Sequence, residues 1–462
     1  MNTRVMLYSA VDDEVTHYDV DVEAATLTPR SSIRVPSFVQ EGWVHPSRKH
    51  LYLTTSNRGP GLKGDMNHVS AYRIDAATGG LTPDGLPKPL PHRAVNVCLD
   101  PRGSYAINAH NLPKSGLTIH SINRDGTLGP EAGQPAGLEF GPYPHQVRVA
   151  PSGRTVVVAD RGNKAQGGKP EDPGALRAFA FENGVLSNPQ VVAPNGGYGF
   201  GPRHVDFHPE KPWMYVSDEK RSQLYMFRMP GDRIESEVAY TCDTLRDRAN
   251  AKPRQQPSTI HVHPNGRFVY IANRADHTVD FNGKKVFGGG ENTITAFAID
   301  STTGEPRLIQ HADTHSFHVR TFAFDPGGRL MVAPPPANGS STFGALPPFA
   351  LRISSRNHSS VALFSISRFQ RRTPPSVTSL IRPSLSASIF SLPPIFSHSS
   401  LRASGVPGSG SSVASNAARE AAKGRRAGQM CNVEICPCRT FFSWTESMDA
   451  CRSGKACSIR RE

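Results

Sequence analysis

Seven side chains in this sequence are of the types that hold an anion and move a proton: His145, Arg161, Arg203, His204, Glu219, Arg274 and Arg320. Arg203 and His204 sit in GPRHVDFHP, residues 201–209, and Glu219 comes ten residues after Pro209. Guanidinium groups bind carboxylate or phosphate through paired hydrogen bonds. A histidine or carboxylate among them supplies an acid or a base. Surrounded by arginines, Glu219 is expected to stay ionised and to act as a general base. His145 is expected to do the same or to polarise a carbonyl. The chain has no G-x-S-x-G elbow, no Walker A loop and no dinucleotide fingerprint. No tight group of His, Cys, Asp or Glu argues for a metal. Neither a metal nor an organic cofactor is therefore expected.

These residues are far apart in the chain, so something must gather them. A repeat does. An alternating apolar strand, an Asp-, His- or Ala-Pro turn and a second β-rich strand recur at Pro46, Pro101, Pro151, Pro209, Pro264 and Pro326, with spacings of 55, 50, 58, 55 and 62 residues. Between the markers lie a third strand, a Gly- or Asn-bearing turn and a fourth, as in HVSAYRIDAATGGLTP. Such turns supply the positive φ that tight hairpins need. Four short antiparallel strands in each unit of this length form the pattern of a propeller blade. The opening VMLYSAVDDEVTHYDVDVEAATLTP supplies outer strands of a blade without an inner part, as in a ring closed from both chain ends.

Aligned on the marker proline, the residues two and four places before it are almost all apolar, which predicts packing between blades. Six places before it stand Gln40, Val95, His145, Arg203, Ser258 and Arg320; ten places after it stand Ser56, Asn111, Arg161, Glu219 and Arg274. Strand ends carry polar residues for solvation alone. Five Arg or His and one Glu in these eleven positions exceed that need. Equivalent positions on different blades converge at the mouth of the central channel, which would unite them. The residue just before the proline, His208 among them, is expected to cap the turn. Asp206 and His261 are expected to face a neighbouring strand.

The net charge of +13 first suggests nucleic acid. Its location removes that reading, because residues 334–462 carry 16 Lys+Arg against 5 Asp+Glu and leave residues 1–333 nearly neutral. Residues 334–462 also hold 26 Ser, 14 Arg, several Pro clusters and five cysteines, Cys431, Cys436, Cys438, Cys451 and Cys457, whose spacing fits no zinc finger. We expect a propeller domain over 1–333 whose last blade is incomplete after Ala333. Beyond it we expect a low-complexity tail, 334–462, either mostly disordered or read from a shifted frame. The front part has two isolated cysteines, Cys98 and Cys242, and no signal-like or membrane-length apolar run, so a soluble cytoplasmic protein is expected, with neither membrane nor nucleic-acid partner.

GPRHVDFHP, followed by MYVSDE and then by HVHPNGRFVYIANR, with Asp/His-Pro-x-Gly-Arg turns, resembles the lactonase family of seven-bladed β-propellers over about residues 5–333. That resemblance implies an all-β, seven-bladed fold and a lactone hydrolase, with 6-phosphogluconolactone of the pentose phosphate route as first substrate. It equally admits a muconate-type lactonising enzyme or a ligand-binding propeller without catalysis. It places catalytic roles on His145, Arg203, Glu219 and Arg274. Arg161, Arg320 and His204 are expected to bind a small anionic lactone or carboxylate.

Overall fold

Each marker proline lies in the turn between the first two strands of a sheet. The computed structural model describes residues 5–314, 318–333, 349–354 and 363–367, all in one compact unit. The late cysteines, and all of residues 334–462 apart from 349–354 and 363–367, lie outside the described residues. Sheet 1 has three strands, Val5–Val11, Glu14–Asp21 and Thr26–Arg34. Sheet 2 starts with Val39–Val44 and His50–Ser56, sheet 3 with Arg93–Leu99 and Tyr105–Leu112, and sheet 4 with Pro144–Val149 and Thr155–Asp160. Sheet 5 starts with Pro202–Phe207 and Trp213–Asp218, sheet 6 with Gln256–Val262 and Phe268–Arg274, and sheet 7 with Ala323–Phe324 and Leu330–Ala333. Among the described residues, sheets 2 to 7 have four or five strands each, antiparallel throughout.

The chain folds as an all-β propeller. Seven apolar clusters fill the spaces between consecutive sheets. The last joins Leu330 and Val332 of sheet 7 to Val22, Ala25 and Leu27 of sheet 1, which closes the ring. The positions two and four before the proline pack as their pattern requires: Val205 and Phe207 lie between sheets 4 and 5, and Ile260 and Val262 between sheets 5 and 6.

Sheet 7 corrects one expectation. It does not stop after Ala333, because Phe349–Ser354 pairs with Leu330–Ala333 and Leu363–Ser367 pairs with Phe349–Ser354. FALRIS places an apolar residue at every second position, which is a strand pattern inside a segment whose overall composition hides it. The bare edge of Leu330–Ala333 is the physical demand it answers, since unpaired N–H and C=O groups seek a partner.

The residue before the proline caps its turn, as expected, and does more. His208 Nδ1 accepts the N–H groups of Glu210 (3.1 Å) and Lys211 (3.0 Å). His263 Nδ1 accepts from Asn265 N (3.2 Å), and its Nε2 donates to Gly328 O of the next sheet (2.8 Å). His45 reaches Gly103 O in the same way (3.0 Å). Gly328 has φ 67°, and a Cβ there would lie 2.3 Å from His263 Nε2, so both the turn and the latch need glycine.

A bulge recurs in the innermost strands. Pairing slips between Val39 and Glu41, between Pro144 and Gln146, and between Pro202 and His204, so Gln40, His145 and Arg203 have no partner opposite. The ladder of sheet 3 passes from Asn96 to Ala94, skipping Val95, and that of sheet 6 slips between Pro257 and Ile260, at Ser258. In these five sheets the slip falls at the residue six before the proline. Bulges re-aim side chains at sheet rims, and here they do so at one end of the ring.

Replacing His263 with Ala removes a turn cap and an inter-sheet latch. We expect it to lower stability by about 1–3 kcal/mol in urea unfolding at pH 7, with Gly328→Ala equally damaging. Wild-type stability in both would contradict the latch.

Candidate active site

At the bulged end of sheets 4 and 5, the loop after the second strand is clipped to the start of the first. Glu219 N donates to Gly201 O (2.8 Å), and Asp218 Oδ2 accepts Gly201 N (3.1 Å). Asp160 does the equivalent in sheet 4, accepting Tyr143 N (2.9 Å). These clips hold Arg161 and Glu219 beside the bulged residues.

Glu219 is the hub. Its Oε2 accepts from Arg203 Nη1 (2.5 Å) and Arg274 Nη2 (3.2 Å); its Oε1 accepts from Arg161 Nη1 (3.1 Å) and Gln256 Nε2 (3.3 Å). Three sheets thus meet on one carboxylate. Arg161 also stacks on Tyr143, 4.0 Å from the ring centroid. Arg320 joins through His318, whose Nε2 accepts from Arg274 Nη1 (3.2 Å) and Arg320 Nη1 (3.4 Å). The imidazoles of His145 and His204 stand edge to face with centroids 5.1 Å apart. All seven residues singled out in the sequence therefore lie in one constellation.

The electrostatics divide their chemistry. Burial alone would raise the Glu219 carboxyl, but the guanidiniums of Arg161, Arg203 and Arg274 outweigh it and hold it well below the usual carboxylate range. It is ionised, as expected. With four donors on two oxygens it is also a weak base, which argues against the expected proton-accepting role. Burial, reinforced by Arg203, pushes His145 well below the usual imidazole range. His145 is 2% exposed, and neither of its ring nitrogens has a hydrogen-bond partner. Arg203 is fully buried, with Nε and Nη2 unbonded while Nη1 holds Glu219. A neutral imidazole and an unsaturated guanidinium side by side can take a proton and stabilise a developing oxyanion.

The constellation adjoins a central cavity of about 180 Å³. Each of six innermost strands lends it the residue five before its proline: Glu41, Asn96, Gln146, His204, Thr259 and Thr321. Side chains here also stitch neighbouring strands. Asn96 Oδ1 accepts Val147 N (3.0 Å), Gln146 Oε1 accepts Val205 N (2.7 Å), and Asp206 Oδ2 accepts Val262 N (2.8 Å). Asp206 thus faces the neighbouring strand as expected and lies 3.5 Å from His261 Nδ1. His204 borders both the cavity and His145.

Sequence reasoning missed Tyr143, Gln256 and His318, and with them Arg93, which donates to Gln40 Oε1 (2.8 Å) and Asn111 Oδ1 (3.3 Å). All four stand eight residues before a marker proline. The repeat thus carried a third polar level that stacking could have found. Among the described residues, no group of three or more His, Cys, Asp or Glu is placed to hold a metal ion, and no helix is long and apolar enough to cross a membrane.

Comparison with known proteins places these features in context. The family described as Lactonase, 7-bladed beta-propeller matches residues 6–339. A 6-phosphogluconolactonase of Bacillus subtilis is 26% identical over 306 residues, 63% of this chain and 76% of that protein. One of Yersinia enterocolitica is 24% identical over 330 residues, covering 71% and 87%. The solved periplasmic gluconolactonase of Pseudomonas aeruginosa superimposes with TM-score 0.58 at 20% identity, covering 79% of this chain and 97% of that one.

Glu219→Gln keeps the shape but strands the buried guanidiniums of Arg203 and Arg274 and the partly buried one of Arg161 without their counter-ion. It should cost about 3–5 kcal/mol of stability at pH 7. Because the folded carboxyl titrates below its ordinary 4.5, its contribution is full above that pH and is lost as pH falls through the folded value. The gap between wild type and variant in urea unfolding should therefore narrow in acid. A gap absent at pH 7, or unchanged in strong acid, contradicts this account.

Proposed function

The chain belongs to the lactonase family of seven-bladed β-propellers, and on that premise we propose that it hydrolyses the lactone of an anionic sugar acid, with 6-phosphogluconolactone the best match. On this reading the three strands of sheet 1 are the outer part of the seventh blade. One observation carries the proposal: a neutral, unpartnered His145 lies beside an arginine cluster pinned by Glu219. The names of the relatives support the reaction class. The ring of amide, hydroxyl and carboxyl side chains around the cavity suits a polyhydroxylated ring.

His145 takes a proton from water as its oxygen bonds to the lactone carbonyl carbon. The carbonyl oxygen becomes an oxyanion, which Arg203 stabilises through the nitrogens that Glu219 leaves unused. The carbonyl re-forms, the bond to the ring oxygen breaks, and His145 returns its proton to that oxygen. The products are a carboxylic acid, ionised at neutral pH, and a hydroxyl group. Arg274, Arg320 and Arg161 hold the phosphate. Glu219 keeps the arginines in place and transfers no proton.

The test is hydrolysis of freshly made 6-phosphoglucono-δ-lactone. His145→Ala should lose about 10²–10⁴-fold in kcat and fold normally. The base form of His145 is the active one and its pKa is depressed, so the acid limb of kcat/KM should fall at a pH below the ordinary imidazole value of about 6.5. A folded wild type with no rate above the uncatalysed one, or full activity in His145→Ala, defeats the assignment.

A further inference from the structure

His318 occupies a position that local structure alone does not favour. Its φ is +53°, a left-handed conformation that L-residues adopt at a cost. Its backbone is held by a hydrogen bond to Asn292. Its N–H donates to Asn292 Oδ1 (2.7 Å), which also accepts Ala275 N (3.0 Å), the residue following Arg274. Thr314 Oγ1 donates to Asn292 O (2.8 Å) from the other side. His318 and Thr314 are therefore both tied to Asn292, and through it to the residue that follows Arg274.

The ring is equally constrained. Its Nε2 accepts from both Arg274 and Arg320, so the proton of the neutral ring sits on Nδ1. That nitrogen points to Asp276 Oδ2 at 3.7 Å, and Asp276 is itself gripped by Arg254 through two bonds of 2.6 Å. Burial, with Arg274 and Arg320 alongside, holds the imidazole well below its usual range. Arg274 also donates to Glu219 Oε2 (3.2 Å). Two like charges share one neutral acceptor, and without it they would repel and splay.

We propose that His318 is a positioning residue that sets the spacing of the Arg274 and Arg320 guanidiniums, and so determines the affinity of the site for the anionic group of its substrate. This rests on the lactonase reading for the identity of the substrate, but the anion clamp can be tested without it. His318 touches no reacting atom in this scheme. Its effect should appear in binding of the anionic end and not in the chemical step.

The experiment compares wild type with His318→Gln, whose side-chain oxygen reaches the place of Nε2, with His318→Asn, which is too short, and with His318→Leu. Two readouts are used: KM and kcat for 6-phosphoglucono-δ-lactone and for unphosphorylated glucono-δ-lactone, and calorimetric binding of inorganic phosphate. The Asn and Leu variants should raise KM for the phosphorylated lactone and weaken phosphate binding by about tenfold or more, with kcat and the KM of the neutral lactone within about twofold. His318→Gln should recover most of that loss. If Leu does not fold, the Gln–Asn contrast carries the test. Equal losses in Gln and Asn, or equal losses on the two lactones, would overturn the proposal, as would a wild type that binds no phosphate. A wild type that hydrolyses neither lactone but binds phosphate with the Gln–Asn contrast would uphold the clamp and sink the lactonase reading.

Discussion

One buried carboxylate holds this end of the propeller together. A guanidinium keeps its proton in any protein environment, so Arg161, Arg203 and Arg274 cannot relieve their burial by becoming neutral. They come from sheets 4, 5 and 6 and converge on Glu219. Removing charges from water is costly, and mutual attraction repays it only when the hydrogen-bond geometry is well satisfied. Here two carboxylate oxygens take four donors. The same arrangement sets the state of every neighbour. Burial, reinforced by the positive field, keeps His145, His204 and His318 neutral, and neutral imidazoles are what the proposed base and the shared acceptor must be.

The ring divides its labour along the channel axis. Apolar residues two and four before each proline fill the spaces between sheets and supply most of the burial. At the proline end, histidines and aspartates close the turns and latch one sheet to the next. At the other end, bulges and the Asp160 and Asp218 clips turn polar side chains inward. The arginine cluster is confined to one rim, where it does not disturb the packing below it.

How much of this was legible follows from the nature of the repeat. Strand, turn and capping positions recur because each sheet solves the same local problem, so aligning the prolines exposed them. The apolar faces and six of the seven candidate residues were reached that way; His204 came with the GPRH motif. The roles within the cluster were not. Glu219 reads as a base from its type, and only the count of donors around it shows a carboxylate already saturated. His318 and Gln256 have ordinary neighbours in the chain. Their significance comes from guanidiniums contributed by other strands.

The sequence by itself determined a ring of antiparallel sheets and the end of that ring where arginines gather, because periodicity and residue type are properties of single strands. It also held the alternation of FALRIS, which composition masked. Only the tertiary structure decided that a bulge shifts the residue six before the proline out of the ladder in sheets 2 to 6, that sheet 7 continues past Ala333, and that one carboxylate serves three arginines. Register slips and charge sharing depend on distances between strands, and those distances exist only once the ring has closed.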